Sequence, residues 1–148
     1  MQSSRSEELR IGWERMRTRR FHNIRAWQLA DDLAFDVYEA TRAYPSEERY
    51  GVVSQMRRAS VSVAANIAEG SGRSSAREYL QFLAIAKGSL AEVRYYLHLS
   101  RRLRYLEETQ HRQLDQLCDE ASRVLYGLMC AVRGQKGSLV IPAPPTEA

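Results

Sequence analysis

Apolar residues recur at alternating steps of three and four along four separate stretches of the chain. The first row is Trp27, Ala30, Ala34, Val37, Thr41 and Tyr44. The second is Val53, Met56, Ser60, Val63 and Ile67, and the third is Tyr79, Leu83, Ala86, Leu90, Val93 and Leu97. The fourth is Leu114, Leu117, Ala121, Leu125, Leu128 and Val132. This spacing is a heptad seam, which places one apolar stripe on each of four helices. No stretch alternates apolar and polar residues as a half-buried strand would. Asn23 is the expected N-cap of the first helix, and Pro45 stops it. Short connections between long helices predict an all-α fold, an antiparallel up-down four-helix bundle.

The segment NIAEGSGRSSARE, residues 66–78, poses a choice between a phosphate-gripping loop and a helix–helix turn. A phosphate loop follows a strand and carries Lys before Ser or Thr, and neither condition is met. The turn reading uses every residue. Gly70 or Gly72 supplies a left-handed residue that closes helix two. Ser75 and Glu78 then form an S-x-x-E capping box that opens helix three.

Two helices carry more pattern than a single core requires. Beside the seam of helix two runs a polar row, Gln55, Arg58, Ser62, Asn66 and Glu69, which Arg73 extends into the turn. Ser62 and Asn66 are small hydrogen-bonding groups at a core edge, as expected for an ordered network between helices or subunits. Helix three carries a second apolar row, Ile85, Tyr96, Leu99 and Leu103, about 100° from the first. Two stripes on one helix imply two contact surfaces, so these four residues are the expected oligomer interface, the alternative being that the row packs under the N-terminal extension. Its remaining arc holds Arg77, Lys87, Arg94, His98, Arg101 and Arg102 with no acid between them, and Tyr95 lies among them. Cations beside an aromatic suit single-stranded RNA, which needs neutralised phosphates and a stacking surface. Arg77, Lys87, Arg94, Arg101 and Arg102 are the candidate phosphate contacts.

Composition and charge refine this picture. The net charge is +4, and 20 of the 22 basic residues are Arg, whose planar fork grips phosphate or carboxylate in pairs. Residues 1–20 hold six Arg and three Glu and read as a basic, mobile extension. Residues 21–133 form the bundle, and residues 134–148 are a Gly- and Pro-punctuated tail with little capacity to pack, expected to be disordered. A chain of 148 residues buries enough surface to fold without a disulfide or metal. Cys118 and Cys130 fall on one helix about 18 Å apart, beyond disulfide reach. The absence of a long apolar run and of a signal-like N-terminus makes the cytoplasm the expected compartment.

Catalytic and metal chemistry find no support in the residues. Di-metal bundles use paired Glu-x-x-His motifs, and this chain has one such spacing, Glu108 to His111, in the first turn of helix four. No nucleophile elbow occurs. No enzymatic activity, cofactor or metal is therefore expected, and a metal or small-ligand bundle ranks last among the functional readings.

The segments QMRRASVSVAANIAEGSGR (55–73), AWQLA (26–30), YPSEERYG (44–51) and EYLQFLAIAKGSLAEV (78–93) resemble the bacterial four-helix-bundle family of 23S rRNA intervening-sequence proteins. The likeness spans residues 21–133. Members are often encoded within extra segments of large-subunit ribosomal RNA genes. A related branch, the accessory variability determinant of diversity-generating retroelements, binds a reverse transcriptase and RNA. The resemblance implies a homopentameric ring, in keeping with the second apolar row, and brings no catalytic residues with it. This chain departs from the family at Ala64, where Pro is frequent, and in its Arg-rich extension and Pro-containing tail. The expected function is that of a non-enzymatic, self-assembling bundle that binds RNA or an RNA-associated protein. The alternative is a scaffold that docks an acidic protein partner or a reverse transcriptase.

Overall fold

The structure is a computed structural model that describes residues 21–134. The N-terminal extension and all of the tail but Gly134 lie outside the described residues. Within them are four α-helices and no strand: α1 (Arg25–Thr41), α2 (Val52–Ser71), α3 (Ala76–Arg102) and α4 (Glu108–Arg133). A 3₁₀ turn, Ser46–Glu48, follows α1. Each helix packs on its neighbour in the chain, α1 closes on α4, and the α2–α3 contact is the most extensive.

Three of the four stripes lie where the periodicity puts them. Val53, Met56, Ser60, Val63 and Ile67 are buried on α2, as is the whole third row on α3. On α4 only Leu117 leaves the predicted row for the core edge, and Cys118 takes the interior position. The first stripe needs correction. The buried face of α1 is Ala26, Leu29, Ala30, Leu33, Val37 and Thr41, whereas Trp27 and Ala34 are half-buried. Leu29 and Leu33 fill the interior fully, and the bulkier indole is seated at the edge. There it meets the rings of Phe21 and His22 at centroid distances of 4.9 and 4.6 Å.

The helix ends also depart in part from expectation. Ile24, not Asn23, occupies the cap position of α1 and gives no side-chain cap. Pro45 opens the 3₁₀ turn four residues after α1 has ended. Half of the expected box at α3 is present: the Ser75 hydroxyl accepts from the Glu78 amide at 3.2 Å, but the Glu78 side chain does not cap the Ser75 amide in return. The box at α4 lies outside the S/T pattern: Glu107 and Gln110 cap each other's amides. Neither Gly70 nor Gly72 is left-handed. Gly72 ends α2 at φ −89°, in right-handed geometry. Gly70 serves packing instead, because a Cβ there would lie 2.7 Å from Phe82 Cβ and 3.0 Å from Tyr79 Cδ2. The left-handed residue is Arg104, at φ 61°. The Tyr105 amide donates to the Ser100 carbonyl and the Arg104 amide to that of Arg101, the paired bonds of a Schellman motif. Arg in this conformation costs about 1–2 kcal/mol that glycine would not.

One carboxylate ties the two turns at this end together. Glu48 accepts the Val52 amide at the start of α2 on one oxygen (3.2 Å) and the Tyr105 hydroxyl on the other (3.0 Å). Gly51 makes room for it, since a Cβ there would lie 2.8 Å from the same carboxylate. The Tyr105 ring also packs on Tyr44, with centroids 5.2 Å apart. The YPSEERYG segment is thus a clamp between the α1–α2 and α3–α4 connections.

Two predictions follow from packing. Gly70→Ala destabilises the fold by about 1–3 kcal/mol, because the added methyl meets Cβ and ring atoms of α3. Denaturant titration reads the loss, and an unchanged midpoint contradicts the close contact. The second concerns alkaline pH. Burial pushes the Tyr79 phenol from 10.0 up to about 12 and the Cys118 thiol from 9.0 up to about 12. The folded state therefore holds both protons longer than the unfolded chain, so stability is full below about pH 9 and falls as pH rises towards 12. The Tyr79 hydroxyl has no hydrogen-bond partner among the described residues. Tyr79→Phe consequently leaves neutral-pH stability equal or higher by about 1 kcal/mol and flattens the alkaline fall. Thermal melts across pH 7–11 check both effects.

Candidate interaction faces of α3

Helix α3 has 27 residues and spans about 40 Å. One side packs into the bundle, and two flanks face outward. The flank beside α2 carries the second apolar row. Ile85 and Leu103 are 52% and 44% exposed, whereas Tyr96 and Leu99 are half-buried and Tyr96 leans on the core. Across the seam α2 contributes the polar row. Ser62 and Ser89 share a hydrogen bond of 2.8 Å between the helices. The Asn66 amide donates back to the Ser62 carbonyl and hydroxyl at 2.8 and 3.0 Å. Arg73 pairs with Glu69 at 2.5 Å and lies over the Phe82 ring at 4.7 Å. Gln55 and Arg58, at the other end of the row, are exposed. The polar row and the second apolar row are therefore parts of one α2–α3 face, divided by the serine pair.

The cations run from the α4 side of α3 round to its outermost face, and α4 answers some of them. Arg94 donates to Asp119 and, at 3.4 Å, to Ser122, with Asp115 at 3.9 Å. The bond to Asp119 raises the Arg94 pKa, and its charge adds to the effect. Arg101 reaches Glu108 at 3.9 Å in an open pair. Such exposed pairs contribute little to stability and are readily exchanged for another anion. Arg77, Lys87 and Arg102 are exposed and have no carboxylate of the described residues within ion-pair reach. His98 is exposed on the same arc, and Tyr95 is 58% exposed beside it. The arc thus divides into Arg94 and Arg101, engaged with α4, and Arg77, Lys87 and Arg102, which are open.

Several exposed groups escaped the sequence reading. Phe35 on α1 is 66% exposed, Tyr126 on α4 is 62% exposed, and Tyr50 after the 3₁₀ turn is 87% exposed. Phe35 shares a face of α1 with Tyr38, three residues on and 42% exposed, and Tyr126 lines a small cavity with Lys87, Leu90 and Met129, groupings too short to read as a row. The outer face of α1 is acidic, with Asp31, Asp32, Asp36 and Glu39 exposed. Partial burial, then the charges of Asp32 and Glu39, push the Asp36 carboxyl upward.

Among the described residues no group of three His, Cys, Asp or Glu side chains converges as metal ligands. Glu108, of the Glu108–His111 spacing, faces Arg101 and Arg112. Cys118 is buried and Cys130 exposed, and neither is in a disulfide. No helix among the described residues is long and apolar enough to cross a membrane.

Comparison with known proteins bears on this arrangement at two levels. No curated protein matches the chain. Among solved structures, the chain resembles a protein of unknown function from the S23 ribosomal protein family of Bacteroides thetaiotaomicron. The two are 21% identical, with a TM-score of 0.66, over 70% of this chain and 97% of the other. At that identity the likeness speaks for the fold. The family model described as 23S rRNA-intervening sequence protein matches residues 22–127, most of the four-helix region. The chain therefore belongs to the 23S rRNA-intervening sequence protein family.

Proposed function

We propose that this protein is a non-enzymatic helical bundle that assembles with copies of itself and binds RNA through the cationic flank of α3. The observation that carries the reading is the division of α3. Ile85 and Leu103 stand exposed on the α2 side, and Arg77, Lys87 and Arg102 stand open on the other. An antiparallel order of helices supports a bundle of this shape. Ser62 meets Ser89 while Gly70, further along α2, meets Tyr79 and Phe82, nearer the start of α3. Arg94 meets Asp119 while Arg101 meets Glu108, which supports the same order for α3 and α4.

The apolar flank is the self-association surface in this reading, with the Ser62–Asn66–Ser89 group and Arg73 beside it supplying polar specificity. Symmetric closure is the usual outcome for copies of one chain, and a homopentameric ring is the form we favour. Such assembly leaves the opposite flank of α3 outward, where several copies of the same cationic surface act on one polyanion. Multivalency of that kind raises affinity without any new contact. The scaffold alternative, docking of an acidic protein on the same cations, shares the surface and differs in the ligand.

Two measurements separate these readings. Ile85→Glu yields species of lower mass by light scattering while far-UV helicity is kept; unchanged mass removes this flank from the interface. Filter binding of single-stranded RNA to the wild-type chain falls steeply with salt. Lys87→Ala lowers the log–log slope by about 0.7 for each such site engaged on one strand. No retention of RNA at low ionic strength overturns the RNA reading and leaves the scaffold.

A further inference from the structure

The end of the bundle held by the Glu48 clamp gathers the α1–α2 and α3–α4 connections. Three features there have no role in the core. Tyr50 is 87% exposed, the most open of the large hydrophobic side chains among the described residues. The guanidinium of Arg49 lies over one face of its ring, 5.8 Å from the centroid, which leaves the other face available. Arg104 holds a left-handed backbone at φ 61°, where glycine is the default. A strained residue that keeps a charged side chain calls for a function of that side chain.

The ion pairs sharpen the point. Most acids near these connections are engaged: Glu39 with Arg42, Glu108 with Arg101 and Arg112, and Glu48 with Tyr105 and the Val52 amide, whereas Glu47 has no such partner among the described residues and its charge acts on Tyr105. Glu47 and Glu107 are exposed, and the Glu107 side chain caps α4. Arg49, Arg102 and Arg104 are exposed with no carboxylate of the described residues in ion-pair reach. The clamp joins the two connections through Tyr105, whose neighbours in the chain include Arg104, and through Glu48, whose neighbour is Arg49. The platform is therefore fixed by a hydrogen-bonded carboxylate and by the packed Tyr44 and Tyr105 rings.

We propose that these two connections form a platform for single-stranded RNA, with the open face of Tyr50 stacking a base and Arg49, Arg102 and Arg104 holding phosphates. The proposal rests on the RNA reading above and locates its contact beyond the α3 arc. An unpaired strand is the fitting ligand, because an isolated exposed ring stacks only a base that is itself unstacked. Flexible phosphates can reach cations on two different turns, which a stiff duplex backbone does less readily.

The test is fluorescence anisotropy of the full chain with a labelled oligouridine, across a salt series. Tyr50→Ala weakens binding by roughly five-fold or more, and Tyr50→Phe restores it. Arg104→Gly separates function from fold. It raises the thermal midpoint by relieving the left-handed strain, yet it weakens RNA binding and lowers the log–log salt slope by about 0.7. If the wild type binds RNA and both Tyr50→Ala and Arg104→Gly bind equally well, the platform is overturned while the α3 arc stands. If the wild type binds no RNA, the platform falls together with the broader reading.

Discussion

The close approach of α2 and α3 is the constraint on which the rest of the structure depends. At Gly70 the two helices come so near that a methyl group has no room beside Phe82 and Tyr79. Further along, Ser62 and Ser89 share a hydrogen bond that neither could make if the helices stood further apart. Small groups at both points let the backbones draw together, and the buried stripes then fill the space between four helices at interior density. That contact also fixes the rotation of α3 about its own axis. With Ser89 turned to α2 and Leu90 and Leu97 turned inward, Ile85 and Leu103 have no place in the core and face outward beside α2. Arg94 and Arg101 of the same helix are carried to the α4 side by the same rotation.

The cationic flank is shaped as much by its neighbour as by its own sequence. Acids on α4 stand opposite Arg94 and Arg101, so part of the positive charge is met within the chain. What remains open is Arg77, Lys87 and Arg102 along α3, continued at the bundle end by Arg49 and Arg104. Paired and unpaired cations thus lie side by side on one surface. In the reading offered here the pairs orient the surface and the open cations receive the ligand, since an open guanidinium has no internal partner to give up on binding.

Much of the fold was legible because helix periodicity and burial are two views of the same geometry. Rows two and three matched the buried positions, and the Ser75 cap was readable from its hydroxyl and spacing. Row one matched at Ala30, Val37, Thr41 and Tyr44 and missed at Trp27 and Ala34, because α1 offers two adjacent apolar rows and periodicity does not say whether Trp27 or Leu29 fits the interior better. The role of Gly70 was misread for a related reason: a glycine near a helix end signals either a left-handed cap or a close approach, and only the position of Phe82 decides. Arg104 could not be found at all, because no residue type marks a left-handed arginine. The second apolar row and the polar row were each visible alone. Their union in one face required the α2–α3 contact, and the pairing of Arg94 with Asp119 required α4.

The central claim is that α3 carries a second, self-associating flank opposite an outward cationic one. Hydroxyl-radical footprinting of the wild-type chain over a range of concentrations tests it most directly. The account predicts that Ile85 and Leu103 are labelled slowly in concentrated solution and rapidly on dilution, while the exposed Tyr126 on α4 is labelled at one rate throughout. Labelling of Ile85 and Leu103 that is fast at every concentration would contradict it.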